Sequence, residues 1–278
     1  MHSILVIAHL TLTEARRRRI VTAALLCALV VLAVFTVAVF FAVREQSRPV
    51  SFIERQIFFT FLTLAGLYVA NFLSVLFAVL LPVDSLSGEI DSGVMQTLAV
   101  KPIRRSDIVV GKWLGNALIV GAYLTLLVTG VLLSVRIIAG FSPINLARAL
   151  PLMLLEVLLL TTVSIAGGTR FSTVTNGILG LGFYGIAFIG GFIEMAGAMG
   201  RLESLRIVGV VASLISPCDA MWRLAAYYMQ PPLVRRLAGV PFWSSAGPVP
   251  SMLMVGWATF VVVLTLVYAV RTFSKRAL

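Results

Sequence analysis

Residues 16–43 read RRRRIVTAALLCALVVLAVFTVAVFFAV: four consecutive arginines, then 24 residues from Ile20 to Val43 without a charge. A helix of that length rises about 36 Å, enough to cross the roughly 30 Å of hydrocarbon in a bilayer. A basic stretch before an apolar one also suits a signal peptide. The apolar run is too long for an h-region, however, and no small-x-small cleavage site follows it. Ile20–Val43 is therefore read as a first spanning helix that stays in the protein.

The whole chain follows the same reading. Of 278 residues, 60% are hydrophobic and 12% charged, with mean hydropathy +1.04; a soluble domain carries about a quarter charged residues. The apolar runs are too long and too continuous for barrel strands, so the fold class is an all-α polytopic membrane protein in one domain, residues 1–278. A net charge of +11 would suggest nucleic acid in a soluble chain. Here the basic residues flank apolar segments, where they set topology and meet anionic lipid head groups, and no nucleic acid is expected. Cys27 lies in the first apolar run and Cys218 in a late loop, so no disulfide and no metal site is expected.

Upstream of Ile20, residues 1–19 are too short and too polar at their end to span. Ile4, Leu5, Ala8, Leu12 and Ala15 can share one helix face, and Glu14 and Arg16–Arg19 gather at its C-terminal end. This reads as an interfacial helix entering the first crossing, or as an elbow touching a cytoplasmic partner. Downstream, further spans are expected over 57–81, ended by Pro82, and over 108–135, with Ser106 and Asp107 as N-cap and acidic first turn. Spans over 149–168 and 174–194 follow, separated by a turn around Arg170, and a sixth over 251–270. The fifth is rich in glycine (Gly177, Gly180, Gly182, Gly185, Gly190, Gly191), which allows close helix packing inside the chain or between subunits. Residues 195–250 form the longest non-spanning region. Within it, 202–216 and 217–229 read as re-entrant or interfacial helices, the second opened by Ser216 as N-cap, Pro217, and Asp219 as the return half of a capping box.

With Met1 cytoplasmic, twelve Lys and Arg fall on the cytoplasmic side, against five in the short far-side loops. The positive-inside rule then puts both termini and the 84–107 loop in the cytoplasm, and the 195–250 region outside.

No catalytic pattern is present: no H-E-x-x-H, no G-x-S-x-G, and no phosphate loop, since Gly111-Lys112 runs into Trp113. The dense set of distinctive residues lies instead in 84–112, DSLSGEIDSGVMQTLAVKPIRRSDIVVGK. Gly88-Glu89-Ile90-Asp91-Ser92-Gly93, then Lys101-Pro102-Ile103-Arg104-Arg105, then Gly111-Lys112-Trp113 resemble the loop between the second and third spans of ABC-2 type transporter permeases. The basic N-terminal helix, the six spans and Ser216–Arg223 resemble the same family.

That resemblance implies a permease subunit of an ATP-driven exporter. It would form its pathway with a second permease subunit and be driven by a separate ATPase, which would bind the ATP and Mg; this chain would hold no cofactor and no ATPase site of its own. By position, Glu89, Asp91 and Gly93 would lie on or beside a coupling helix in the 84–107 loop, Pro102, Arg104 and Arg105 at its exit, and Lys112 at the base of the third span. Lys101, Arg104, Arg105 and Lys112 serve equally as positive-inside anchors. Glu89 has no topogenic use, though a solvated helix face would explain it. Glu156 is the one ionisable residue well inside an expected span, which marks it for a pathway or proton role or for a neutral structural one. A secondary transporter or channel would be expected to show an internal repeat, and none is visible. A non-transporting membrane anchor for an ABC ATPase is the closest rival. The substrate is open, and Met195, Met199, Met221 and Met229 are more simply packing residues than a metal path.

Overall fold

The computed structural model describes residues 2–45, 51–91, 104–237 and 248–275. Among these the chain forms ten helices: α1 (His2–Ala15), α2 (Arg19–Glu45), α3 (Phe52–Asp91), α4 (Arg105–Ala139), α5 (Leu146–Gly168), α6 (Thr173–Gly200), α7 (Glu203–Ile215), α8 (Cys218–Met229), α9 (Pro232–Leu237) and α10 (Met252–Lys275). Six of them, α2 to α6 and α10, are long and apolar enough to cross a membrane, as the sequence led one to expect.

Helix α5 is the axis of the bundle. Two thirds of its apolar window (67 %) is buried, against 11 % for α2, and α3, α4, α6, α8 and α10 all pack on it. The core follows the same geometry: Leu64, Leu67, Leu124, Leu127, Met153, Leu159 and Leu160 are fully enclosed. The outward side chains of α2, among them Leu26, Leu29, Val30 and Val34, are exposed. In water such a helix would be unstable; in hydrocarbon it needs no protein cover.

The first boundary to be corrected is Pro82, expected to end the second span. It lies inside α3, which runs on to Asp91. Proline removes one helical donor and crowds the carbonyl a turn earlier, and neighbouring helices hold the segment on both sides of it. Ser164 Oγ of α5 donates to the carbonyl of Val79 at 2.9 Å, and Lys112 Nζ of α4 donates to that of Ser85 at 2.7 Å. Other ends move less. Helix α4 extends through Arg136, expected in a loop, and is closed by Gly140 in the left-handed region (φ 66°), whose N–H bonds Arg136 O. Helix α6 continues six residues beyond Glu194.

The expected N-caps differ too. Helix α4 begins at Arg105 with Arg104 in the cap position and no side-chain cap; Ser106 lies inside the helix and Asp107 in its first turn. Ser216 closes α7 instead of opening α8: its N–H bonds Ala212 O, and Pro217 holds the α8 cap position without a side-chain bond. Asp219 does not fold back to complete a capping box, because its carboxylate is drawn to Arg223 one turn on. In α1 the buried face is Ile7, Ala8, Thr11 and Ala15, with Ile4 and Leu12 partly covered; of the expected stripe only Leu5 is turned out, 60% exposed. The cause is Gly111 and Gly115 on α4, where a Cβ would stand 2.7 Å from Ile7 Cβ and Thr11 Cβ respectively. Ile4 and Ile7 meet Gly111, and Ala8 and Thr11 meet Gly115, so α1 and α4 run in the same direction with their backbones close.

Helices α7 and α8 are bent by 103° at their break and form a re-entrant hairpin. Helix α7 runs back along α6: Gly197 abuts Arg206, Glu194 abuts Gly209, and Gly190 abuts Ala212. Ala212 thus lies about 15 Å of helix below the point where α6 ends. Helix α8 then returns to the same end, where Tyr228 stands beside Arg148 at the start of α5 (5.9 Å) and its hydroxyl reaches Met252 Sδ at the start of α10 (3.9 Å). A seventh crossing would have separated these two ends of the hairpin. With six spans, α1 and the last turn of α10 lie at one end of the bundle, where Arg105 Nη1 donates to Ser274 O (3.4 Å).

Candidate functional site

Two polar constructions interrupt the apolar bundle. The first joins the helices that flank the 92–103 segment. Lys112 and Asn116 occupy one face of α4, one turn apart, and both reach α3 beyond Pro82. Lys112 Nζ bonds Ser85 O, and Asn116 Nδ2 bonds Ser85 Oγ at 3.2 Å and Lys112 O at 2.9 Å. Lys112 is only 4% exposed, its ammonium spent on a backbone carbonyl. A second thread ties the Pro82 turn to α5 and α6: Ser164 Oγ bonds Val79 O, and Asn176 Nδ2 bonds Ser164 O at 2.8 Å. Trp113 Nε1 donates to Thr162 Oγ1 at 2.8 Å. At the rim, Arg170 Nη1 donates to the hydroxyl of Tyr268 at 3.1 Å.

These contacts place the sequence-chosen residues. Glu89 and Asp91 lie on the last turn or so of α3. Arg104 is exposed at the foot of α4, and Arg105 is partly covered beside Ser274. Lys112 is buried two turns further in. Gly93 and Pro102 fall outside the described residues, as does Lys101. The structure thus brings Lys112 to Ser85, six residues before the end of α3.

The second construction lies at the tip of the re-entrant hairpin. Glu156 of α5 is fully buried, and Asn71 Nδ2 of α3 donates to its Oε2 at 3.0 Å. Among the described residues neither Glu156 Oε1 nor Asn71 Oδ1 has a hydrogen-bond partner. Two unsatisfied acceptors in a dry interior are costly, of order 1–3 kcal/mol each. The same neighbourhood holds Tyr68, whose ring packs on Trp222 of α8 at 5.5 Å, and the buried Cys218.

Closer to the hairpin's open end, Arg223 of α8 bridges two acids. Its Nη2 bonds Glu194 Oε2 at 2.7 Å and approaches Ser213 Oγ at 3.4 Å, while its Nε stands 2.9 Å from Asp219 Oδ2. A pocket of about 410 Å³ opens beside this triad, walled by Ser213 and Leu214 of α7, Met254 and Trp257 of α10, and Pro248–Ser251. Trp257 Nε1 donates to Leu214 O at 2.8 Å and pins the hairpin to α10.

Sequence reasoning missed this triad. From sequence, Glu194 is only the end of a span and Arg223 one charge in the 195–250 region. The available signal was Asp219-x3-Arg223, an i,i+4 pair on a helix otherwise made of Ala, Met, Trp, Leu and Tyr.

The arrangement has no nucleophile and base in contact, and no group of three or more His, Cys, Asp or Glu able to hold a metal occurs among the described residues. It is a six-span bundle with one re-entrant hairpin, a helix extended past the membrane span toward 92–103, and polar groups at mid-bundle. A family model described as ABC-2 family transporter protein matches residues 5–278. The chain belongs to the ABC-2 transporter family. No curated protein matches it. As an ABC-2 family protein it is a multi-pass membrane permease of an ABC transporter, a system in which the ATPase is the partner of the membrane part. In this permease Lys112, chosen for family resemblance, is also singled out by geometry, through its contact with Ser85 of α3.

Proposed function

We propose that this permease works as one of a pair of subunits forming an export pathway in the cytoplasmic membrane of a prokaryotic cell, with both termini cytoplasmic. Its 84–107 segment seats in a groove of a separate ATPase subunit, on which ATP and Mg are bound. One observation carries the reading. Helix α3 passes Pro82 and reaches Asp91, and Lys112 and Asn116 fasten that extension to α4. A push on residues 84–107 is then delivered to two spanning helices as one body, instead of being absorbed in a slack loop. Rigid elements of this kind convert closure of a partner into helix movement. Glu89 and Asp91 at the end of the extension, with Gly93 just after it, are the groups that present it to the ATPase, and Arg104 and Arg105 mark its return. Glu156, with its unpartnered oxygen, lines the moving part of the pathway.

The test is to purify the tagged protein in mild detergent and identify what accompanies it in fixed ratio, with and without Glu89→Ala and Gly93→Trp. A Walker-motif ATPase that co-purifies with the wild type and is lost from both variants is the expected result. A monodisperse protein without an ATPase would return the reading to a secondary transporter or channel.

A further inference from the structure

A groove of about 410 Å³ runs between α1, α2 and α4. Its walls are Val21 and Leu25 of α2 and Leu118 and Leu126 of α4, with Tyr123 among the residues that line it; Arg16 stands at its mouth. The Tyr123 hydroxyl is occupied by Ala24 O at 3.1 Å, so the interior presents hydrocarbon. Leu25, Leu118 and Leu126 are each about half exposed, which means the groove opens sideways, toward the space a bilayer fills.

We propose that this groove holds one acyl chain of an anionic phospholipid, whose headgroup phosphate rests on the elbow between α1 and α2. Length is the first argument. The wall from Leu118 to Leu126 covers about 12 Å of helix, most of the roughly 15 Å depth of a single leaflet. The elbow fixes the depth of the mouth, because four successive arginines cannot lie in hydrocarbon. Charge is the second. Glu14 is the only acid among residues 1–43, and Arg18 holds its carboxylate. Arg16 lines the groove, and Arg17 and Arg19 beside it in the chain are exposed, so a cationic elbow adjoins an apolar slot. A headgroup of net negative charge satisfies both parts at once; a zwitterionic headgroup satisfies only the slot. Bound there, the lipid would wedge the α1–α2 elbow against the face of α4 that follows Gly111 and Gly115.

The experiment is native mass spectrometry of the full-length protein with equal concentrations of phosphatidylglycerol and phosphatidylcholine carrying identical acyl chains. The wild type is expected to retain phosphatidylglycerol preferentially. Arg16→Gln should lower that retention about fivefold, the weight of one basic side chain at an anionic surface, and leave phosphatidylcholine unchanged. Leu118→Trp, which fills the slot, should lower both, and Arg136→Gln at the opposite end of α4 should change neither. Equal retention of the two lipids by the wild type would overturn the proposal, as would full phosphatidylglycerol retention by a Leu118→Trp protein that elutes as a single species. Arg16 is exposed, so its variant reads charge without disturbing the fold.

Discussion

Lys112 and Glu156 are both ionisable residues carried on spanning helices and hidden from solvent, at 4% and 0% exposure, yet their surroundings differ in kind. Around Lys112 the polar groups close on one another: ammonium to carbonyl, Asn116 amide to hydroxyl and carbonyl, and Ser164 and Asn176 to the carbonyls nearby. Around Glu156 one amide bond is made, and two acceptor oxygens are left over. A network whose bonds are all made has one favoured arrangement and resists change, whereas a half-satisfied one is a place where another arrangement, or another atom, is favoured. On the function proposed above, transmission belongs to the Lys112 end and passage to the Glu156 end. The Arg223 triad is intermediate: its charges are paired, but Glu194 and Arg223 line an open pocket.

The hardest blow to this division would fall on the triad. Arg223→Ala leaves Glu194 and Asp219 buried against each other without a counter-charge, and breaking a buried pair from one side costs about 3–5 kcal/mol. The expected result is loss of most folded protein, read as the monodisperse peak in detergent chromatography. Replacing all three together, Glu194→Gln, Asp219→Asn and Arg223→Met, should restore the peak, because no lone charge remains. If the single variant eluted normally, the hairpin would not depend on the triad and its pocket would have to be treated as surface.

Lys112→Met tests the other side. It keeps most of the length of the side chain and removes the donor to Ser85 O, a loss of about 1–3 kcal/mol with the carbonyl left buried. Folded protein should persist with a lower unfolding temperature. The specific consequence is uncoupling: in reconstituted vesicles with its ATPase, hydrolysis continues while transport per ATP falls. Transport and hydrolysis falling in proportion would deny the latch a part in transmission.

How much of this could be read from the chain alone depended on what the signal was made of. Spans were legible because twenty apolar residues in succession have few alternatives, and the length of Ile20–Val43 set aside the signal peptide. The continuation of α3 past Pro82 was not, since it depends on Ser164 and Lys112, which lie 82 and 30 positions away from the proline and supply bonds that no local pattern announces. The α1 face was legible except at Leu5, for a related reason: the choice between Leu5 and Ile7 was made by two glycines on α4. At the tip, Glu156 stood out as a lone acid, but its partner Asn71 was one polar residue among many. Gly190, Gly191 and Gly180 proved to be contact points within the chain, against Ala212, Asp219 and Val79, while Gly182 and Gly185 face open space.

Glu156→Gln is the smallest change in stability and the sharpest in meaning. A glutamine carboxamide still accepts from Asn71 Nδ2, and it adds an N–H pair that can donate to the Asn71 Oδ1 now left without a partner. By hydrogen-bond accounting the variant is as stable as the wild type to within about 1 kcal/mol, or more stable. If the carboxyl were there to hold α3 to α5, transport should then be unaffected. If it is kept, despite its unmatched oxygen, because passage needs an acid at the hairpin tip, transport falls severalfold while expression and unfolding temperature hold. Asn71→Asp supplies the converse, placing two acids together and lowering stability by several kcal/mol through their repulsion and burial. Normal transport by a well-expressed Glu156→Gln protein would reduce the contrast between the two ends to a difference in packing, and the pathway would have to be sought beside Arg223.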